Sequence, residues 1–182
     1  MFVMKSLILV LCFLMQAAKP APVPGMPAAA GVYCRQADAK WIKLEPPTLA
    51  DQKTKGMGLF IETSGLSNLG MTAVYKGAHA PTQISDPRPT FYVRGTGSEK
   101  DVMIVQLTQK KDARTIRTST SAASVDNKGG FSRGEIRKVT CTVYSDDSFS
   151  VQPEEDLQPG EYLLVFNYAT VGFDFGILAS RQ

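Results

Sequence analysis

The sequence predicts an exported all-β domain, and three observations lead to this expectation. From residue 31 onwards, short runs of apolar and β-branched residues alternate with turns rich in Gly, Pro, Asn and Asp. No long stretch carries apolar residues at helical spacing. The N-terminus has the residue order of a secretory signal. About ten short strands of this kind predict a two-sheet β-sandwich, with a small β-barrel as the alternative.

Residues 1–18 are predicted to be a signal peptide. A weakly basic start over residues 1–5 precedes an apolar run over residues 6–15, and the small residues Ala17 and Ala18 follow. The apolar run is too short to span a bilayer, which needs about 20 residues. We therefore expect cleavage between Ala17 and Ala30, no transmembrane segment in the mature chain, and a periplasmic or extracellular location.

Two regions follow the signal peptide. Residues 19–30 contain four prolines and are expected to form a flexible or polyproline-like leader. Residues 31–182 are predicted to form a single β domain, because this length suits one domain of roughly 150 residues. The expected strands cover residues 31–35, 39–44, 58–62, 71–76, 90–94, 101–108, 113–117, 139–144, 148–152, 162–168 and 173–178, and residues 48–54 are the best candidate for a short helix.

Two cysteines, Cys34 and Cys141, are left in the mature chain, because Cys12 lies inside the apolar run of the signal. Two thiols of one exported domain often pair in an oxidising compartment, so a Cys34–Cys141 disulfide is expected. The alternative is two separate buried thiols that pack as small apolar side chains.

No catalytic residue, cofactor or metal site is predicted. His79 is the single histidine and lies in a loop at 77–81, and no serine has the G-x-S-x-G context of a nucleophile elbow. The acidic clusters at 146–147 and 154–156 fall at predicted turns, which is typical of solvated carboxylates.

The triplet Asp-Phe-Gly at 174–176 matches the magnesium-binding triplet of protein kinases, but the other kinase motifs are absent from this chain. We interpret it as part of a closing strand whose glycine lets a neighbour approach closely. In that strand Phe173, Phe175 and Ile177 share one face, which we expect to point into the core.

The charge argues against a nucleic-acid partner. The formal net charge is +3, and it falls by one when Lys5 leaves with the signal peptide. A nucleic-acid-binding domain usually has a clustered basic face and a larger positive charge.

Residues 118–134 have almost no apolar residue and are expected to form the longest loop. Binding residues tend to gather in loops that a rigid β scaffold supports. The candidate binding residues of this loop are Ser121, Asp126, Asn127, Lys128 and Arg133.

The C-terminal part of the chain carries a recognisable pattern. Residues 157–162 form the corner Leu-Gln-Pro-Gly-Glu-Tyr, and residues 173–177 form the closing Phe-Asp-Phe-Gly-Ile. Together they resemble the C-terminal signature of uncharacterised secreted bacterial β-domain proteins. The resemblance covers residues 149–177 and implies an exported bacterial β domain, without assigning functional residues. At the corner, Pro159 fixes one backbone dihedral and Gly160 is free to take a positive φ.

The sequence is compatible with two functions. The leading hypothesis is a non-catalytic domain that binds or scaffolds an unknown protein or glycan in the cell envelope or extracellular space. The alternative is a small secreted hydrolase acting on glycans or esters. A deep pocket with converging carboxylates, or His79 beside a serine, would favour the enzyme, whereas a flat or loop-framed surface would favour binding.

Overall fold

A computed structural model describes residues 21, 23–36, 38–55, 69–120, 130–167 and 172–179. These residues form thirteen β-strands and no helix, so within them nothing helical is long and apolar enough to cross a membrane. In chain order the strands are β1 Gly31–Arg35, β2 Trp41–Leu44, β3 Leu49–Lys55, β4 Leu69–Lys76, β5 Gln83–Ile84, β6 Phe91–Arg94, β7 Val102–Gln109, β8 Ala113–Thr120, β9 Ile136–Arg137, β10 Val139–Ser145, β11 Ser148–Pro153, β12 Gly160–Phe166 and β13 Gly172–Ile177.

The first sheet has five antiparallel strands in the order β10–β11–β6–β1–β2. Its two faces differ because successive side chains of a strand point to opposite sides. Apolar residues at every second position of the three central strands form the inner face. The buried residues of that face are Val32, Cys34, Phe91, Val93, Phe149 and Val151.

The second sheet has eight strands. Seven follow the order β3–β4–β8–β7–β12–β13–β5, and β9 pairs with β7 outside this path. The inner faces of the two sheets share one apolar core, and neither sheet closes into a barrel, so the predicted β-sandwich is confirmed. The second sheet contributes Ile104, Tyr162, Leu164, Phe175 and Ile177, among others, to that core.

Strands of the second sheet also pack against the outer face of that same sheet. β8 pairs with β7 at Arg114 and Thr115, and β9 pairs with β7 further along. β4 and the rest of β8 pack against the outer face of β7 and β12, which are therefore buried on both faces. This explains the nearly continuous apolar sequence of the two strands. The second cluster comprises Ala73, Tyr75, Met103, Val105, Leu107, Ile116, Phe131, Leu163 and Val165.

Residues 48–54, the candidate helix, form a strand instead. β3 covers Leu49–Lys55 and pairs with β4 along its length. Intrinsic helix propensities differ by at most about 0.7 kcal/mol between ordinary residues, so pairing with a neighbouring strand readily overrides them. The helical expectation is therefore wrong. The predicted strand at 58–62 and the predicted signal peptide at 1–18 lie outside the described residues.

The structure also corrects the expected disulfide, because Cys34 and Cys141 are both free. Cys34 on β1 is aligned with Phe91 on β6, then with Val151 on β11, and finally with Cys141 on β10. Adjacent strands lie about 4.8 Å apart, so three strand spacings separate the two cysteines by about 14 Å. Cα atoms more than about 7 Å apart cannot be bridged. Burial, and secondarily the charge of Asp86, raises the pKa of the Cys34 thiol to about 11.

The predicted loop at 118–134 is shorter than expected. β8 continues to Thr120, and Phe131 is fully buried in the second cluster, bridged to Thr118. Phe131 is therefore a buried apolar anchor in a segment that was expected to have almost none. Residues 121–129 lie outside the described part of the chain.

Candidate functional site

Three buried charged residues meet at one end of the second apolar cluster. Glu161 on β12 is 3% exposed, and Asp174 on β13 and Arg114 on β8 are each 2% exposed. Because Leu163 pairs with Asp174, the strand alternation places Glu161 and Asp174 on the same outer face of β12 and β13. We call Arg114, Glu161 and Asp174 the ion cluster.

The ion cluster is held by hydrogen bonds that use most of the guanidinium. Arg114 Nη1 donates to the Asp174 carboxylate and lies 3.8 Å from Glu161 Oε2. Its Nε donates to the carbonyl of Gly77 at 3.1 Å, and its Nη2 donates to the carbonyl of Lys76 at 2.9 Å. The arginine therefore fixes the loop after β4 and does not present its charge to solvent.

Burial changes the acid–base behaviour of the cluster and of the tyrosine beside it. Desolvation raises the pKa of Asp174, and the hydrogen bond and charge of Arg114 oppose this shift without cancelling it. Desolvation, followed by the charge of Asp174, raises the pKa of Tyr75 to about 12. Buried charges of this kind are tolerated only when they are paired and hydrogen-bonded.

Glu161 also orients His79, the single histidine. Its Oε1 lies 2.9 Å from His79 Nδ1, and its Oε2 accepts a hydrogen bond of 2.7 Å from the backbone N–H of Ala80. Gln83 Nε2 lies 3.3 Å from the same carboxylate. Gly176 leaves room for the Gln83 amide, because a Cβ there would overlap it, so the close approach expected at the closing strand is confirmed.

A hydrolase triad consists of a nucleophile, a histidine and a carboxylate that orients the histidine. His79 and Glu161 correspond to the last two. The His79 side chain is 66% exposed, so substrate could reach the ring. Within the described residues, the hydrogen-bond partners of the ring are Glu161 and Gln109, neither of which is a nucleophile. The same residues contain no group of three His, Cys, Asp or Glu that could hold a metal ion.

The acidic clusters lie apart from one another. Residues 146–147 form the turn between β10 and β11 and border an open cleft of about 270 Å³. Residues 154–156 follow β11 and border a different cleft of about 380 Å³. Carboxylates in separate shallow clefts do not form the converging pair that glycoside hydrolysis requires.

A second candidate site lies on the outer face of the first sheet. Residues that alternate with the buried ones on β1, β2, β6 and β10 place rings and guanidinium groups side by side. The Trp41 and Tyr92 rings meet edge to face with centroids 5.0 Å apart, and the Arg35 guanidinium lies 5.7 Å from the Trp41 ring centre. We call this surface the aromatic face and define it as Tyr33, Arg35, Trp41, Tyr92, Arg94 and Tyr144.

The aromatic face is partly open to solvent. Trp41, Tyr92 and Tyr144 are half-buried, and Arg35 is exposed. Tyr144 shares a hydrogen bond of 3.0 Å with Ser150 on the neighbouring strand, which fixes its ring. Burial, and secondarily the proximity of Tyr144, raises the pKa of Tyr92. Rigid aromatic rings beside arginines supply large apolar contact area together with hydrogen-bond donors, a combination enriched at binding surfaces.

Of the five binding residues predicted from the sequence, the structure describes only Arg133. Ser121, Asp126, Asn127 and Lys128 lie outside the described residues. Arg133 is exposed in the turn that follows Phe131. The structure does not bring it together with the aromatic face.

The sequence interpretation missed both candidate sites, although each left a signal. Arg114 is in phase with Ile116 on β8, and Glu161 is in phase with Leu163 on β12, so a charge occupies a buried-face position in each strand. On β2, Trp41 is in phase with Lys43, opposite the buried Leu44. An aromatic residue on the polar side of an alternating strand indicates an exposed ring.

No family model matches this chain, and neither the curated proteins nor the solved structures contain a significant match to it.

Proposed function

We propose that this chain is an exported, non-catalytic domain that binds a component of the cell envelope or the extracellular space through its aromatic face. The observation that carries the proposal is the Trp41–Tyr92 pair with Arg35 beside it, on the solvent side of a rigid antiparallel sheet. Export rests on the secretory signal pattern of residues 1–18.

Binding through the aromatic face costs little conformational entropy. Aromatic side chains on a sheet have few rotatable bonds, so they lose little conformational entropy on contact. A well-placed aromatic pair is worth about 0.5–1.5 kcal/mol beyond its buried area, and a cation over a ring adds about 0.5–1 kcal/mol at an exposed site. Both arrangements are already present in the free domain, and such preorganisation favours binding.

The alternative, a small secreted hydrolase acting on glycans or esters, draws on one observation, the hydrogen bond between His79 and Glu161. This bond also has a structural role, because Glu161 joins His79 and the backbone of Ala80 to the ion cluster. We therefore assign His79 to the anchoring of loop 77–80.

A capture experiment tests the proposal. Immobilised mature chain is incubated with envelope extract, and Trp41→Ala and Tyr92→Ala are compared with Leu49→Ala, which removes an exposed apolar side chain from the other sheet. We expect Trp41→Ala and Tyr92→Ala to lower the captured amount at least fivefold and Leu49→Ala to leave it unchanged. Equal capture by all four proteins would place the binding surface elsewhere.

A substrate screen tests the alternative. Ester, glycoside and peptide substrates should stay at the background rate with the parent chain. Turnover that His79→Ala or Asp147→Ala abolishes would establish the hydrolase and overturn the non-catalytic proposal.

A further inference from the structure

The proline-rich leader lies along the aromatic face, from Trp41 beside one end of β1 to Arg94 beside the other. Val23, Pro24, Gly25 and Met26 form a tight turn in which the N–H of Met26 donates to the carbonyl of Val23 at 3.2 Å. Gly25 has a φ of +72°, and proline followed by glycine in this conformation is the pattern of a type II turn. A Cβ added to Gly25 would lie 3.7 Å from Trp41 Nε1, so the turn lies against the indole ring.

Beyond the turn, side chains of the sheet donate hydrogen bonds to backbone carbonyls of the leader. Arg94 Nη1 donates to the carbonyl of Pro27 at 3.1 Å, and the Tyr33 hydroxyl donates to the carbonyl of Ala29 at 2.9 Å. Two donors of the aromatic face therefore hold the carbonyls of Pro27 and Ala29, where the leader bends toward β1.

This mode of recognition suits proline-rich peptides. Such peptides lack N–H groups at their prolines but offer backbone carbonyls, and they dock on aromatic-lined surfaces. The leader fills only part of the surface, because Trp41 and Tyr92 keep half-buried rings and Arg35 is exposed. The Nε of Arg94 is buried without a hydrogen-bond partner among the described residues, so one donor of the site is unused.

We infer that the aromatic face is a binding site for proline-rich peptides that follow the turned path of the leader, and that residues 23–30 occupy it as an internal ligand that a partner's peptide displaces. This inference rests on the proposed function and names the chemistry of its partner. A tethered segment competes at an effective concentration in the millimolar range for a short linker. The parent chain therefore binds an added peptide weakly, and loosening the leader strengthens that binding.

The test uses a fluorescently labelled peptide with the sequence of residues 19–30, titrated into the mature chain and followed by anisotropy. Trp41 is the single tryptophan, and the peptide contains no aromatic residue, so Trp41 emission is an independent readout from the same surface. Gly25→Val loosens the leader, because L residues rarely adopt a φ of +72°. We expect Gly25→Val to bind the peptide at least about tenfold more tightly than the parent.

Two controls isolate the recognition itself. In the Gly25→Val chain, Tyr33→Phe removes the hydroxyl that donates to Ala29, and we expect about fivefold weaker binding. Tyr162→Phe is the matched variant, because it removes a buried tyrosine hydroxyl that also donates to a carbonyl four residues earlier, and it should leave binding unchanged. A peptide with its four prolines replaced by alanine should bind at least fivefold more weakly.

The outcomes separate this inference from the proposed function. Equal affinity of parent and Gly25→Val, or equal affinity for the proline and alanine peptides, overturns the peptide assignment. If capture from envelope extract still depends on Trp41 in that case, the proposed function stands with a different ligand. If capture is independent of Trp41 as well, both are overturned.

Discussion

Arg114 is the residue on which the buried charges depend. It pairs with Asp174 and faces Glu161, and it donates to the carbonyls of two residues at the junction of β4 and the loop that carries His79. Without it, two carboxylates would remain in an apolar environment, and breaking a buried ion pair in this way costs about 3–5 kcal/mol.

We therefore expect Arg114→Met to lower the free energy of unfolding by about 3–5 kcal/mol, measured by urea denaturation at neutral pH. Arg117→Met is the matched control, because Arg117 is an exposed arginine on the same strand, and its effect should stay within about 0.5 kcal/mol. Adding Asp174→Asn to Arg114→Met should restore part of the loss. Similar stabilities of Arg114→Met and Arg117→Met would contradict the role of the cluster.

Tyr75 makes the same region sensitive to alkaline pH. Its pKa in the folded chain is raised from the ordinary value of 10.0 to about 12. Between these two values the unfolded chain releases a proton that the folded chain keeps, so the stability falls as pH rises, by at most about 1.4 kcal/mol per pH unit.

Urea denaturation of parent and Tyr75→Phe between pH 9 and 11.5 measures this effect. We expect the difference in unfolding free energy between the two proteins to change with pH in the direction that favours Tyr75→Phe at high pH. A constant difference over that range would show that Tyr75 titrates alike in the folded and unfolded chains.

At the scale of single elements, the closing strand β13 contributes buried side chains from both of its faces. Its inner side carries Phe175, which is fully buried and lies with its ring centroid 4.6 Å from that of Phe91 and 5.6 Å from that of Tyr162. The expected core face is confirmed for Phe175 and Ile177, and Phe173 packs at its margin, half-buried. Its outer side carries Asp174, so one strand supplies both an aromatic core and the ion cluster.

Phe175→Ala should lower the free energy of unfolding by about 3–5 kcal/mol, as loss of a buried phenylalanine does. Phe173→Ala is the internal comparison and should cost less than Phe175→Ala, because its side chain is only partly buried. Thermal or urea denaturation measures both. A larger loss from Phe173→Ala would mean that the register of β13 is shifted.

The strands differ in how well the sequence predicts them. Period-2 alternation and turn residues identify β1, β10 and β11 closely, since both signals are local. β3 lacks such a signal, because its strand state depends on pairing with β4. The disulfide expectation failed for a related reason. Compartment and cysteine number say nothing about strand order, and strand order separates Cys34 from Cys141.

At the scale of the whole molecule, the class of fold was predictable and the candidate sites were not. About ten alternating segments already favour a sandwich. The ion cluster joins β8, β12 and β13, and the aromatic face joins β1, β2, β6 and β10, so both depend on pairings between strands that are distant in the chain. The second cluster, in which β4 and β8 pack over β7 and β12, likewise depends on pairings between strands that are distant in the chain.

The leader contacts lead to a prediction about maturation. Residues 23–30 contact the aromatic face through Gly25, Pro27 and Ala29, so cleavage near Ala17 or Ala18 keeps these contacts and cleavage after Ala30 removes them. We expect N-terminal sequencing of the exported chain to begin before Val23. A mature chain beginning at Gly31 would contradict the role of the leader.

The central claim is that the aromatic face binds the partner, and acrylamide quenching of Trp41 emission tests it most directly. Trp41 is the single tryptophan and is half-buried on the edge strand β2 of this face, so its accessibility reports directly on whether the surface is covered. The component eluted from the capture column is added to the mature chain until binding saturates. We expect the quenching constant to fall at least twofold at saturation, because the ligand covers the part of the indole ring that the leader leaves exposed. An unchanged constant at saturation would contradict this claim.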